Sequence, residues 1–379
     1  MKKYLFLCLC FLMLFSVCVN AQEGNVTAET FTQFLEKAEK GDANAQFAIA
    51  ECYELGNGVT QDSEEAFEWF KKAAEQKHDQ AQYRLGKCYY DGNGVEQDFE
   101  EAAKWFTESS EMGNRDAQYR LGRCYYEGDG VKEDNEEAVK WFMKSAEMGN
   151  TDALYILGCF YEYGVCVTED YTEAFKWYTK AAELGHANAQ YELGMHYEEV
   201  IKNYTEAVKW YRKAAEQGLL GAQFSLAECY AFGRGVIKNK KEAVKWHIKS
   251  AEQGNRNSQY YLGEAYANGD GVEQNKEEAI KWFTKSAEQE HWVAQFIIGK
   301  YYYNGDGVKQ DYEEAVKWFT KSAEYEDSDG QYQLGLCYYY GNGVKQDKKE
   351  ARQLLEKSAK QGNKAAADTL AELFKNKTD

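Results

Sequence analysis

Hydrophobic positions in this chain follow one pattern, written again and again. In the stretch from Ala81 to Tyr90, the small and apolar residues Ala81, Leu85, Gly86 and Tyr89 lie four, five and eight residues beyond the first. That spacing puts them on one face of a helix. A glycine-rich break follows, Gly92-Asn93-Gly94-Val95, which turns the chain. A second helical run starts behind Asp98 and carries Ala102 and Trp105 inward. Copies of this unit begin at Ala45, Ala81, Ala117, Ala153, Ala189, Ala222, Ser258, Ala294 and Gly330, 36 residues apart except for one step of 33 after Ala189. Such a period predicts helix pairs stacked in a row, each burying its apolar face on its neighbours.

Helix starts and stops are marked in every copy. Asp98 is followed three residues later by Glu101, an acidic capping box in which each side chain is expected to take the other's free amide. The pair recurs from Asp62/Glu65 to Asp347/Glu350, with Asn203, Asn239 and Asn275 replacing Asp in the middle copies. Paired acids also serve as general acids or calcium ligands, but their return at each helix start favours capping. Gly113 and its equivalents stop the second helix; Lys77, Glu290 and Glu326 stand there in three copies. The chain has no proline, so none kinks a helix. The tryptophans Trp69, Trp105, Trp141, Trp177, Trp210, Trp246, Trp282 and Trp318, with Leu354 in the ninth copy, read as inter-helix packing rather than a cofactor box. Repeat four carries Cys166 at the second loop glycine, and repeat five lacks the loop. Both turns are expected to change.

The units Ala-Gln-Tyr-x-Leu-Gly-x-x-Tyr, Gly-x-Gly-Val and Glu-Ala-x-x-Trp-x-x-Lys-(Ala/Ser)-Ala-Glu-x-Gly resemble Sel1-like repeats, a branch of the tetratricopeptide-type helical repeats, over about residues 43–374. The resemblance implies an all-α fold, an α/α superhelical solenoid of about nine helix-turn-helix repeats with capping helices at both ends. The implied organisation is an N-terminal cap in 22–42, repeats in 43–365, and a C-terminal capping helix and tail in 366–379. Phe34, Ala38 and Gly41 fall at repeat positions in the first cap. Leu370 and Phe374 are expected inward in the last, with Lys375, Lys377 and Asp379 in water. The family's members act as adaptors, scaffolds or signalling partners, with no common cofactor. Some cysteine-rich secreted relatives are linked to β-lactam binding, but Ser-x-x-Lys, Ser-Asp-Asn and Lys-Thr-Gly are all missing here.

Residues 1–21 read as a signal peptide: Lys2 and Lys3, an apolar run from Leu5 to Val19, and small Ala21 before Gln22. The expectation is an exported bacterial protein, periplasmic or secreted, with no membrane span in the mature chain. Net charge is −18, and loss of Lys2 and Lys3 makes it two units more negative, which argues against nucleic-acid partners. Of the seven cysteines left, Cys52, Cys88, Cys124, Cys229 and Cys337 share one repeat position. Stacked helices put such positions roughly 8–10 Å apart, beyond the ~7 Å reach of a disulfide. They are expected to be free core thiols, which leaves Cys159 and Cys166 as the one local pair.

If repeated positions make the core, varying positions make the surface. On the first helix these are the fourth, seventh and eleventh residues, flanked by the third and tenth; in related tetratricopeptide repeats that face lines the concave groove. Repeats two and three place Arg84, Lys87, Arg120 and Arg123 there, edged by Tyr83, Tyr90, Tyr119 and Tyr126. Repeats four and five offer Ile156, Cys159, Glu192 and Met195; repeats eight and nine offer Ile297, Lys300, Tyr303, Gln333, Leu336 and Tyr339. Four cations in an acidic chain suit a partner's carboxylate, and tyrosines add apolar and cation–π contact. The predicted partner-binding set is therefore Arg84, Lys87, Tyr90, Arg120, Arg123 and Tyr126. The competing account is local pairing, Lys87 with Asp91 and Arg123 with Glu127. The histidines show no metal spacing, and there is no nucleotide loop or catalytic set. The expected function is an exported scaffold, not an enzyme and without a cofactor, that binds a protein or peptide. A cell-wall or β-lactam hydrolase and a peptidoglycan or carbohydrate binder remain the alternatives.

Overall fold

The structure is a computed structural model that describes residues 28–374. The signal-peptide reading of 1–21, and Lys375, Lys377 and Asp379, lie outside the described residues. Within them the chain forms twenty helices and no strand. A lone helix, Ala28–Glu39, is followed by nine helix pairs and a last lone helix, Lys364–Leu373. Paired helices are thirteen residues each, as in Asp79–Asp91 and Phe99–Glu111 of repeat two. The chain divides into two compact units at Ala189/Gln190. The first holds the lone helix and repeats one to four. The second holds most of the helix Ala187–Glu199, the second helix of repeat five and repeats six to nine. Inside each unit helices next to one another in sequence pack together, the helix Ala187–Glu199 meeting its successor at Gly194 and Tyr191 against Tyr211.

One core layer recurs. Leu85 and Phe106 are fully buried, and Gly86 lets the Phe106 ring approach so closely that a Cβ there would lie 2.8 Å from it. Gly122/Phe142, Gly263/Phe283 and Gly299/Phe319 repeat the contact, and Gly158/Tyr178 and Gly194/Tyr211 make it with tyrosine. Burying such a ring stabilises by about 1.5–3 kcal/mol. The tryptophans chosen from sequence pack one residue before these rings and less deeply. Trp69, Trp246, Trp282 and Trp318 are buried, while Trp105, Trp141, Trp177 and Trp210 are half-buried. A lysine one turn on covers the outer side of most of them, as Lys72 does 3.8 Å above Trp69 and Lys144 3.8 Å above Trp141.

Several local expectations need correction. The capping boxes are made in one direction only. Asp98 Oδ1 accepts the Glu101 amide at 3.0 Å, but the Asp98 amide donates to the Tyr89 carbonyl at 2.9 Å. The returning chain has already taken that donor. Glu101 instead holds Lys104 at 3.1 Å, and Glu137/Lys140, Glu173/Lys176 and Glu314/Lys317 do the same. Cys166 does not change its turn. It takes φ +61°, as the loop glycines do, and its Sγ donates to Asn135 Oδ1 at 3.1 Å. A side chain in that left-handed region costs roughly 1–2 kcal/mol, so the fold carries strain there rather than a new turn. Lys77, Glu290 and Glu326 likewise adopt φ of 60°, 63° and 59° at the helix stops. Repeat five does change: its first helix ends at Glu199 and Lys202 makes the positive-φ residue of a short turn, φ 59°.

Among the described residues no cysteine is joined in a disulfide, Cys159 and Cys166 included. Burial pushes the thiols of Cys52 and Cys88 up to about 11, and those of Cys124, Cys229 and Cys337 to about 12, so they stay protonated.

A buried polar ladder was not anticipated. The fourth residue of most first helices is a buried glutamine whose amide nitrogen donates to a carbonyl of the helix before it, as Gln118 does to Ser110. Its oxygen accepts from a glutamine capping the second helix: Gln76 to Gln46 at 2.7 Å, Gln253 to Gln223 at 2.8 Å, Gln361 to Gln331 at 2.9 Å. Repeat four replaces both partners with leucine, Leu154 and Leu184. Repeats two, three and eight replace only the cap, with Met112, Met148 and Tyr325, and there Gln82, Gln118 and Gln295 keep buried Oε1 atoms with no partner.

Candidate functional site

Each residue of the set chosen from sequence sits on a first helix or at its end, and Arg84 and Tyr90 also touch the buried rings Phe70 and Phe106. The helices Asp79–Asp91 and Arg115–Glu127 carry all six. Arg84 is half-buried, pairs with Glu54 of repeat one and lies 5.5 Å from the Phe70 ring centre. Lys87 is 4.0 Å from Asp91, and Arg123 Nη2 is 2.5 Å from Glu127 Oε1. Tyr90 donates to Asp129 at 2.8 Å and contacts Glu127 at 3.2 Å; burial first, then that bond, raises its pKa. Tyr126 is exposed and packs on Phe160. Arg120 differs from the other cations. It lies 5.8 Å from the Tyr90 ring centre and near Tyr83, whose pKa its charge lowers against the larger effect of burial, and among the described residues it has no carboxylate in ion-pair range.

The structure thus places the six on two first helices and pairs three of the four cations with carboxylates. Both pairs weighed from sequence are present, and the Glu54 partner of Arg84 comes from thirty residues away. No sequence spacing within one helix could point to it. The exposed Lys87–Asp91 pair contributes about 0–1 kcal/mol, so a partner's carboxylate can replace it at little cost, whereas the half-buried Arg84–Glu54 pair is costlier to part.

Histidines serve the scaffold. Nδ1 of His78, His186 and His291 caps a first helix by accepting the amide of Ala81, Ala189 or Ala294. Each ring stacks on an aromatic of the preceding first helix, Phe47, Tyr155 or Tyr260. His247 is different. It occupies the Phe106 position of repeat six, buried, with Nδ1 3.2 Å from Ser258 Oγ and Nε2 3.7 Å from Glu228 Oε1. Ser258, His247 and Glu228 line up as a nucleophile, base and acid would. But Ser258 is fully buried, so no substrate reaches its hydroxyl, and 3.7 Å is too long for a hydrogen bond. Among the described residues no three His, Cys, Asp or Glu side chains are grouped to hold a metal ion. No described helix is long and apolar enough to cross a membrane.

Helix pairs of one design, each presenting a variable first-helix face, define an α-solenoid of the interaction-scaffold type. The chain belongs to the Sel1 repeat family, whose pattern matches residues 43–78, 79–114, 115–150, 151–186, 187–219, 221–255, 256–291, 292–324 and 328–363. It is similar to c5321, a protective antigen present in uropathogenic Escherichia coli strains, at 35% identity over 90% of this chain and 82% of that one, with a TM-score of 0.75. It is also similar to a Sel1 repeat protein from Oxalobacter formigenes, at 32% identity over 81% of this chain and 89% of that one, with a TM-score of 0.58. No curated protein matches the chain.

Proposed function

We propose that this protein is an exported scaffold that binds a protein or peptide partner through the first-helix face of its repeats. The observation that carries the reading is the contrast within each first helix. One side repeats the same buried residues, Ala81, Gln82, Leu85, Gly86 and Cys88 in repeat two. The other side is half-exposed, aromatic and charged, and changes from repeat to repeat. At repeats two and three the set Arg84, Lys87, Tyr90, Arg120, Arg123 and Tyr126 receives an acidic side chain or a C-terminal carboxylate. Arg120 leads, because it gives up no carboxylate of its own, and its guanidinium lies 5.8 Å from the Tyr90 ring centre. Export rests on the residue pattern of 1–21.

A pull-down with crosslinking from the native cell envelope would supply the partner. Its affinity is then measured for the wild type, Arg120→Ala and Arg84→Ala. Arg120→Ala should weaken binding by about 1.5–3 kcal/mol, the worth of a hydrogen bond to a charged group. Arg84→Ala should cost less, since Arg84 must first leave Glu54. Equal affinity of all three, at low and high salt, removes this site. The mass of the mature N-terminus tests export: a chain beginning at Gln22 supports it, and retention of Met1 refutes it.

A further inference from the structure

The short repeat five has a cavity beside it. Its volume is about 400 Å³, and it opens between the end of the helix Ala187–Glu199 with its short turn and the helix Leu220–Phe232 of repeat six. Tyr191, Met195, Tyr211 and Phe224 give it apolar and aromatic walls. Glu198, Glu199 and Glu228 oppose only Lys202 and Arg234. Arg234 is already committed to two of these acids, with Nη1 3.1 Å from Glu198 Oε1 and Nη2 3.8 Å from Glu228 Oε2. Glu198 also accepts from Tyr211 at 2.7 Å.

Glu228 is left short. It takes the place held by Lys87 in repeat two and Arg123 in repeat three, so the sign of the face is reversed here. Its side chain is only 12% exposed, and its Oε1 is buried without a hydrogen-bond partner among the described residues. His247, 3.7 Å from it, is neutral because burial lowers its pKa to about 4. Burial raises the Glu228 pKa, Arg234 opposes this, and Glu198 adds to it. A carboxylate kept from water and short of donors gains from a cation brought against it. An incoming anion would meet the acids, and an apolar group would leave Glu228 as it is.

We propose that this cavity takes the cationic end of a lysine or arginine side chain from a peptide partner, held by Glu228 and Glu198 and flanked by the rings of Tyr211 and Phe224. Ring faces next to a cation add attraction when the site is partly closed to water. The site is separate from the carboxylate-binding set of repeats two and three and does not depend on it.

Met195 lines the cavity, so its methyl group is a built-in reporter. The whole protein, labelled at methionine methyl carbons, is titrated by NMR with acetyl-Gly-Lys-Gly-amide and with its norleucine and glutamate counterparts. The lysine peptide should move the Met195 signal saturably and bind about tenfold or more tighter than the norleucine peptide, with affinity falling as salt is added. Glu228→Gln keeps the shape and removes the charge, and should weaken the lysine peptide by about tenfold. Glu198→Gln serves if that variant unfolds. Arg120→Ala should leave the Met195 response unchanged, so the two sites fail or succeed separately. Equal binding of lysine and norleucine peptides, preference for glutamate, no effect of either acid substitution, or no saturable shift at millimolar peptide would each overturn the proposal.

Discussion

Repeats three and six build the same core layer from different residues. In repeat three the layer is Gly122, Phe142 and, from the next repeat, Ala153. A Cβ on Gly122 would lie 2.9 Å from the Phe142 ring. In repeat six the same places hold Ala227, His247 and Ser258, all buried. The extra methyl of Ala227 takes space from the ring, and the smaller imidazole gives it back. The imidazole brings nitrogens into the core, and Ser258 gives one of them a partner at 3.2 Å. None of the three changes makes physical sense alone. The pair of layers shows that a repeat array is held to a volume and a hydrogen-bond balance within each layer, and only through these to particular residues.

The hardest test of that comparison is to move one residue without the others. His247→Phe alone overpacks against Ala227 and strands the Ser258 hydroxyl, and should destabilise by about 2–5 kcal/mol from the two effects together. Adding Ala227→Gly and Ser258→Ala recreates the repeat-three layer and should bring stability back to within about 1 kcal/mol of wild type. Hydrogen exchange of repeat-six amides reads the local loss without assuming that the array melts as one unit. If the single and triple variants are equally damaged, the compensation does not exist.

The two layers should also part with pH. Burial holds His247 at about 4 in the folded protein, below its ordinary 6.5. A lowered folded pKa means full stability above the unfolded value and loss below it, because the unfolded chain then binds the proton more readily. From pH about 6.5 down to about 4 the wild type should lose roughly 3 kcal/mol through this residue. The triple variant has no imidazole there and should lack that part of the loss. Denaturant midpoints of both proteins across this range give the difference, and parallel curves would show that His247 already titrates normally.

A smaller effect separates repeats two and six. Gln253 gives Gln223 its hydrogen bond, while Met112 leaves Gln82 Oε1 buried and alone. Met112→Gln should therefore stabilise by about 0.5–1.5 kcal/mol, and Gln253→Met should destabilise by about 1–3 kcal/mol. Thermal melts of the two variants check the opposite signs. No gain from Met112→Gln would mean that Gln82 finds its donor elsewhere.

Most of the helix pattern was legible because it is local and repeated. Helix starts, loop glycines and the lone helices at 28–39 and 364–373 follow from capping and φ preferences within a few residues. The buried ring after each tryptophan was missed because two adjacent aromatics both suit an apolar face, and only packing decides which goes deeper. The glutamine ladder had a signal, the return of Gln at the fourth position of the first helix and at the end of the second. It went unread because buried polar residues break the usual pattern. In the candidate site the cations and tyrosines were visible, but the compensation of Arg84 by Glu54 was not. Neither was the cavity at Glu228, where the acid looks like one more surface charge.

What the sequence determined by itself is the repeat: two helices, their caps, their small and large core positions, and the face left free to vary. These depend on periodicity and on backbone preferences, which short stretches of chain carry in full. What only the tertiary structure decided is which groups meet across repeats. Arg84 meeting Glu54, Ser258 meeting His247, and Arg234 meeting Glu198 all depend on stacking residues 11 to 36 positions apart. Charges are satisfied or left short by distance in space, and along a helical stack that distance appears only when the layers close on one another.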